Sequence, residues 1–180
     1  MSSLTDTEAR PAAPWWQVVA IGRNPRVTLV RLGVLVILTL LSFRYLFVPV
    51  RVTGISMSPG YKDGERRWVS PLMAWSQGIQ RGDVVSIQTS GRHVTYLKRV
   101  LGLPGEQVQI RKGTILIDGQ PLEEPYILNR SDTWNWPTNG LPRQLGEGEF
   151  FVLGDNRSMP LENHYFGVAD RNRILGKVIR

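Results

Sequence analysis

Residues 27–47, VTLVRLGVLVILTLLSFRYLF, constrain this chain more than any other stretch. As a helix, about 20 residues at 1.5 Å each cross the ~30 Å hydrocarbon core of a bilayer. The uncharged part, residues 32–43, is short; Arg31 and Arg44 bracket it and reach the headgroup layers by snorkelling. No polar face interrupts the run, which argues against a helix buried in a soluble core. No small-x-small site follows Phe43, where the chain continues YLFVPVRV, which argues against a removed leader. The expectation is an uncleaved anchor over residues 27–47. Residues 1–26 form a polar tail in which Trp15 and Trp16 suit a membrane interface. Arg23, Arg26 and Arg31 favour a cytoplasmic N-terminus, against a weaker vote from Arg44 and Arg51. Residues 48–180 then form an extracytoplasmic domain of a single-pass protein in the cell membrane.

After Pro49 the texture changes. Short β-branched runs alternate with Gly, Asp and Pro, the pattern of strands and turns. Strands are expected at 67–70, 83–88, 93–101, 107–111, 114–117, 149–153 and 174–179. Arg111-Lys112-Gly113 and Asp118-Gly119-Gln120 read as hairpin turns. The fold class is therefore mainly β: an N-terminal transmembrane helix, then an antiparallel sandwich or barrel. Residues 129–143 read as a surface loop whose Trp134 and Trp136 either touch the membrane or cap the core. The formal charge of +7 fits an anionic membrane surface. The basic residues are scattered and no DNA-binding motif appears, so no nucleic-acid partner is expected. With no Cys and only His93 and His164, neither a disulfide nor a metal site is expected.

Two polar residues carry the candidate chemistry. Ser56 lies in Gly54-Ile55-Ser56-Met57-Ser58-Pro59, and Lys98 lies in Tyr96-Leu97-Lys98-Arg99-Val100-Leu101. A serine hydroxyl needs a base to take its proton. Lysine serves only when neutral, and its ordinary pKa is about 10.4. Burial among apolar neighbours lowers that value, and Val94, Leu97, Val100 and Leu101 flank Lys98. Taken singly, Lys98 reads as an exposed strand lysine and Ser56 as one serine among many.

What raises both is their company, which resembles the bacterial type I signal peptidases, membrane-bound Ser/Lys endopeptidases. Gly54-x-Ser56-Met57-x-Pro59 is similar to that family's nucleophile box, and Asp63-Gly64 and Arg81-Gly82-Asp83-Val84-Val85 to the next box. Tyr96-Leu97-Lys98-Arg99-Val100 with Gly102-Leu103-Pro104-Gly105 resembles the general-base box. Ile117-Asp118-Gly119-Gln120-Pro121-Leu122 and Glu124-Pro125-Tyr126-Ile127 follow in order, then Gly154-Asp155-Asn156-Arg157 and Phe166-Gly167. The resemblance implies the β fold shared by signal peptidases and self-cleaving repressors. It also implies Ser56 as nucleophile, Lys98 as general base and the Ser56 N–H in the oxyanion hole. Gly54 belongs to the oxyanion or substrate-binding set; Met57 either lines the substrate pocket or packs in the core. Arg99, Asp155, Arg157, Ser158 and Glu162 are supporting residues. No cofactor is implied. The implied partners are preproteins bearing signal peptides cut after an Ala-x-Ala-like site, the lipid bilayer, and the export machinery.

The last box departs from the family. Aligned without a gap, Pro160 stands where a serine would hydrogen-bond the lysine, and proline has no such donor. Ser158 replaces it if the loop is shifted; Glu162 and His164 stand for an Asp and Arg that form a supporting ion pair. The alternative reading is a specialised or catalytically weak homologue that processes or binds a dedicated substrate.

Overall fold

The computed structural model describes residues 25–88, 95–164 and 167–179. The expectations for the tail, for Trp15 and Trp16, and for the strand start at His93 lie outside these residues. The chain divides into two compact units, residues 1–43 and 44–180.

Helix α1 spans Pro25–Leu46. Its start suits a proline, whose missing N–H is an orphan in the first turn anyway. Residues 26–43 have a mean hydropathy of 2.0. Their apolar side chains stand in the open, from 43% exposed at Val27 to 67% at Leu29. A soluble core helix would bury such a face, so α1 is a candidate membrane span.

The second unit is mainly β, and the strand pairings among its described residues are antiparallel. Strands β1 (Val48–Arg51), β2 (Arg66–Ser70), β3 (Val84–Gln88), β4 (Thr95–Gly102), β9 (Glu149–Leu153), β10 (Gly167–Asp170) and β11 (Ile174–Val178) form one sheet. Its order is β1-β2-β11-β3-β4-β9-β10. Strands β5 (Gln107–Arg111), β6 (Thr114–Ile117), β7 (Gln120–Pro121) and β8 (Arg143–Gln144) form the second, ordered β7-β6-β5-β8. The short helix α2 (Pro71–Ser76) is capped by the Ser70 hydroxyl, which accepts from the Met73 N–H. Both expected hairpin turns form. Lys112 and Gly113 have φ of 46° and 71°, and Asp118 and Gly119 have 49° and 79°. Two successive positive φ values make the tight turn that matches strand twist.

Three apolar clusters hold the sheets. Leu101, Phe151 and Leu153 meet Val108, Ile110, Ile115 and Ile117 between the two sheets, joined by Trp134 and Leu145. Val50, Val52, Met57, Tyr61, Val69, Val84, Leu97 and Val178 pack beneath the loop that carries Ser56. Val85, Val100, Phe150, Val152, Ala169 and Ile174 form the third. The tryptophans of loop 129–143 go to the core. Trp134 is 3% exposed, and Trp136 packs on Phe151 with ring centroids 4.7 Å apart. Truncating Phe151, fully buried between the sheets, removes contacts that its neighbours cannot replace. Phe151→Ala is expected to destabilise the detergent-solubilised chain by about 3–5 kcal/mol, read from its denaturation curve.

Candidate active site

The loop between β1 and β2 is closed at its base: Val52 N–H donates to Glu65 O at 2.8 Å, and Gly64 N–H to Val52 O at 2.9 Å. Gly54 turns the chain at φ 86°, a value that favours glycine, and its N–H donates to Asp63 Oδ1 at 2.8 Å. That bond engages the Gly54 N–H, so the glycine serves the turn. Ser56 follows in the turn and is 9% exposed. Met57, for which pocket lining and core packing stood open, is 1% exposed within the cluster below.

Lys98 comes from the middle of β4, opposite Val85 and between strands β3 and β9. It is 1% exposed, and its Nζ lies 2.6 Å from Ser56 Oγ. Burial lowers its pKa to about 8, against the weaker upward pull of the Asp155 carboxylate. A shift of that size corresponds to about 3 kcal/mol favouring the neutral amine. A neutral amine this close to a hydroxyl can take its proton.

Asp155 does not neutralise this effect because Arg99 holds it. Arg99 Nε donates to Asp155 Oδ1 at 2.8 Å and Nη2 to Oδ2 at 2.6 Å. Arg99 Nη1 also donates to Gly82 O at 2.7 Å, and the guanidinium lies 4.0 Å from the Tyr126 ring centroid. This two-point fork fixes the residue next to Lys98 and ties β4 to the segment after β9.

That segment braces Ser56. A Cβ at Gly154 would sit 2.3 Å from Ser56 O, so only glycine permits the approach. Asn156 then clamps the turn: its N–H donates to Ser56 O at 3.0 Å and its side-chain amide to Ile55 O at 3.1 Å. Arg157 is buried, donating Nε to Gly154 O at 3.0 Å and both Nη atoms to Glu124. Burial and Glu124 raise the Tyr126 phenol well above its usual range.

Asn156 and Glu124 were not among the candidate residues. A signal for Glu124 existed, because an arginine placed in a buried turn requires a carboxylate partner. Asn156 acts through backbone carbonyls, which no residue pattern reports. Ser158 lies on the outside: it is exposed, and Asn129 Nδ2 reaches its Oγ at 3.5 Å. It does not meet Lys98. Pro160 heads a 3₁₀ turn at Leu161–Asn163, which delivers His164 into the interior, 4% exposed. Burial first, then the charges of Lys98 and Arg157, lower the His164 pKa to about 4. It is therefore uncharged near neutral pH and does not stand in for an arginine. The Glu162 side chain lies outside the described part of the chain. Among the described residues no cluster of three or more metal-ligating side chains occurs.

Residues 26–180 match the family described as signal peptidase, peptidase S26. The chain is 36% identical over 150 residues to a signal peptidase I of Bacillus licheniformis, covering 78% of this chain and 79% of that one. It is 34% identical over 147 residues to signal peptidase I T of Bacillus subtilis, covering 78% and 76%. Against signal peptidase IB of Staphylococcus aureus it is 31% identical over 148 residues, covering 75% and 77%. A crystal structure of a signal peptidase I from Enterococcus faecalis aligns at 29% identity over 57% of this chain and 97% of that chain. The TM-score of that alignment is 0.44.

The Glu124–Arg157 pair yields a stability prediction. Both side chains are essentially inaccessible, so removing one leaves a buried charge alone. Glu124→Ala is expected to cost about 3–5 kcal/mol in thermal or chemical denaturation. The double replacement Glu124→Leu with Arg157→Met is expected to cost clearly less.

Proposed function

This chain belongs to the signal peptidase family, peptidase S26, and from that premise we propose that Ser56 and Lys98 are its catalytic dyad. Membership makes it a serine peptidase acting on preproteins that bear signal peptides. The observation that carries the dyad is the 2.6 Å contact between Lys98 Nζ and Ser56 Oγ at a buried, depressed lysine. Lys98 takes the Ser56 proton as Oγ attacks the scissile carbonyl, and the Ser56 N–H donates to the developing oxyanion. The Lys98 ammonium then returns that proton to the leaving amine. In the second half-reaction Lys98 deprotonates the water that releases the acyl group.

The substrate lies extended beside Ser56. Strand β1 is at the edge of its sheet and pairs only with β2 among the described residues. Pro49 within it suits an edge, since it has no N–H to give a neighbour. Such an edge can take an added strand, which supports docking of a peptide with small residues before the cut, in an Ala-x-Ala-like pattern. The anchor of residues 27–47 holds the domain at the bilayer where signal peptides are also held, with the N-terminus cytoplasmic and residues 48–180 outside. Confinement of both partners to one surface raises their effective concentration. Export machinery is the natural neighbour there. The reading of a weak homologue draws on Pro160 alone; the close Ser56–Lys98 contact favours an active enzyme.

The test is cleavage of a preprotein by the detergent-solubilised chain. Wild type is expected to cut after a small-x-small sequence, and Ser56→Ala and Lys98→Ala to lose at least about a hundredfold in kcat. A Lys98→Ala variant with normal turnover would sink the dyad. The pH dependence has a definite sign. Only the neutral amine accepts a proton, so activity is expected to rise through pH 8 and level off above it. Below that midpoint it falls about tenfold per pH unit. A kcat/KM profile flat from pH 6 to 9 contradicts a lysine base.

A further inference from the structure

Trp75 is the most exposed large apolar side chain among the described residues, at 78%. It sits on the short helix α2, and Leu72, one turn before it, is 44% exposed. Residues three apart on a helix share a face, so the two side chains form one apolar ridge. The helix packs on β11 and buries Ala74, which leaves the ridge facing outward. Apolar residues scattered singly over a surface need no reason, whereas a contiguous pair that includes a tryptophan points to a contact.

Strand register fixes where the ridge lies. The chain leaves α1 at Leu46 and enters β1 at Val48. Val48 pairs with Val69 of β2, and α2 begins two residues later at Pro71. Antiparallel partners lie about 5 Å apart, and the chain advances at most about 3.5 Å per residue. Trp75 is thus within about 20 Å of Val48, at the end of the sheet where the chain enters from the apolar helix. Trp68, opposite Pro49, stands at the same end and is 51% exposed. The neighbouring 3₁₀ turn, Arg171–Arg173, is basic. Arg171 Nη2 donates to Ala74 O at 3.1 Å, which sets this turn against α2, and Arg173 is exposed. The carboxylate at the head of the turn, Asp170, accepts from the Asn172 N–H at 2.8 Å.

We infer that α2 and the Arg171–Arg173 turn form a second, non-spanning contact with the bilayer, in which Leu72 and Trp75 enter the interfacial layer and the arginines meet anionic headgroups. Tryptophan's amphipathic ring favours that layer, and cations close to it gain from anionic lipid. A protein partner would account for the apolar ridge alone; the register beside the anchor and the flanking arginines favour lipid. A tether by itself lets a domain swivel, whereas a second contact gives it one orientation. Here that orientation holds the β1 edge and Ser56 at a set height above the membrane. The inference rests on residues 27–47 being the anchor and does not depend on the Ser56–Lys98 dyad.

The chain has no cysteine, so a single introduced one reports on one place. The full chain carrying Ser76→Cys, or Lys112→Cys on the β5–β6 turn as control, is labelled with the fluorophore NBD; both positions are exposed. It is reconstituted in vesicles of phosphatidylcholine and phosphatidylglycerol, with and without doxyl lipid. Doxyl lipid is expected to quench the label at position 76 at least about threefold more than the label at 112. Leu72→Ser with Trp75→Ser is expected to abolish that difference. Arg173→Glu, or vesicles of phosphatidylcholine alone, is expected to cut it by about half. The doubly substituted chain in detergent is expected to cleave a soluble peptide at the wild-type rate, which shows that its fold is kept. On a preprotein inserted in the same vesicles its rate is expected to fall about fivefold. Equal quenching at 76 and 112 overturns the proposal, and so does quenching at 76 that survives the double substitution. Flotation with the vesicles separates the failures. A full chain that does not float removes the anchor, and the second contact falls with it. A chain that floats with position 76 unquenched refutes the second contact alone and leaves the ridge to a protein partner. Ser56→Ala is expected to quench as wild type does, so a failure of the dyad leaves this readout unchanged.

Discussion

A hydroxyl 2.6 Å from an amine is chemically idle if the amine is an ammonium, because the lone pair is already taken. The site depends on keeping Lys98 dry. An inner strand does this: β4 lies between β3 and β9, and Lys98 is closed off to 1% exposure. Desolvation then outweighs the one carboxylate that pulls the other way. Asp155 would be a stronger opponent were it not engaged at both oxygens by Arg99.

The remaining devices hold the hydroxyl to that amine. Closing bonds at Val52 pin the base of the loop, a positive φ at Gly54 turns it, and Asn156 grips two consecutive carbonyls from the far side. Gly154 lets the gripping segment come close enough, and the buried Glu124–Arg157 pair fixes that segment in turn. A buried ion pair contributes little net stability against an apolar replacement. Its value here is geometric, since Arg157 also ties Gly154 O and so sets the path of the chain past Ser56.

Much of this was legible in the residues. Alternating β-branched runs located β2 to β6, β9 and β11 within a residue or two, and Lys112-Gly113 and Asp118-Gly119 marked both hairpins. The exposed apolar helix was legible from its length and lack of a polar face. Strands β7 and β8 were not, since two residues carry no period, and neither β1, with Pro49 inside it, nor the four-residue β10 was among the expected strands. The sites of Trp134 and Trp136 stayed open because an exposed loop and a core cap share one composition; only the fold sends both rings inward. Ser56 and Lys98 were named from their motifs. Asn156 owes its place to the backbone carbonyls of Ile55 and Ser56 that it grips. The serine expected to support Lys98 had no clear counterpart, since Pro160 heads a turn and Ser158 faces outward.

The most direct test of a buried neutral lysine is its titration. With 15N-labelled lysine in the detergent-solubilised chain, the Lys98 amine signal, assigned by its loss in Lys98→Arg, is followed from pH 6 to 11. A midpoint near 8, well below the other lysines, is the result this structure predicts. A midpoint above 10, shared with exposed lysines, would mean the amine is charged beside Ser56 and the account of the site is wrong.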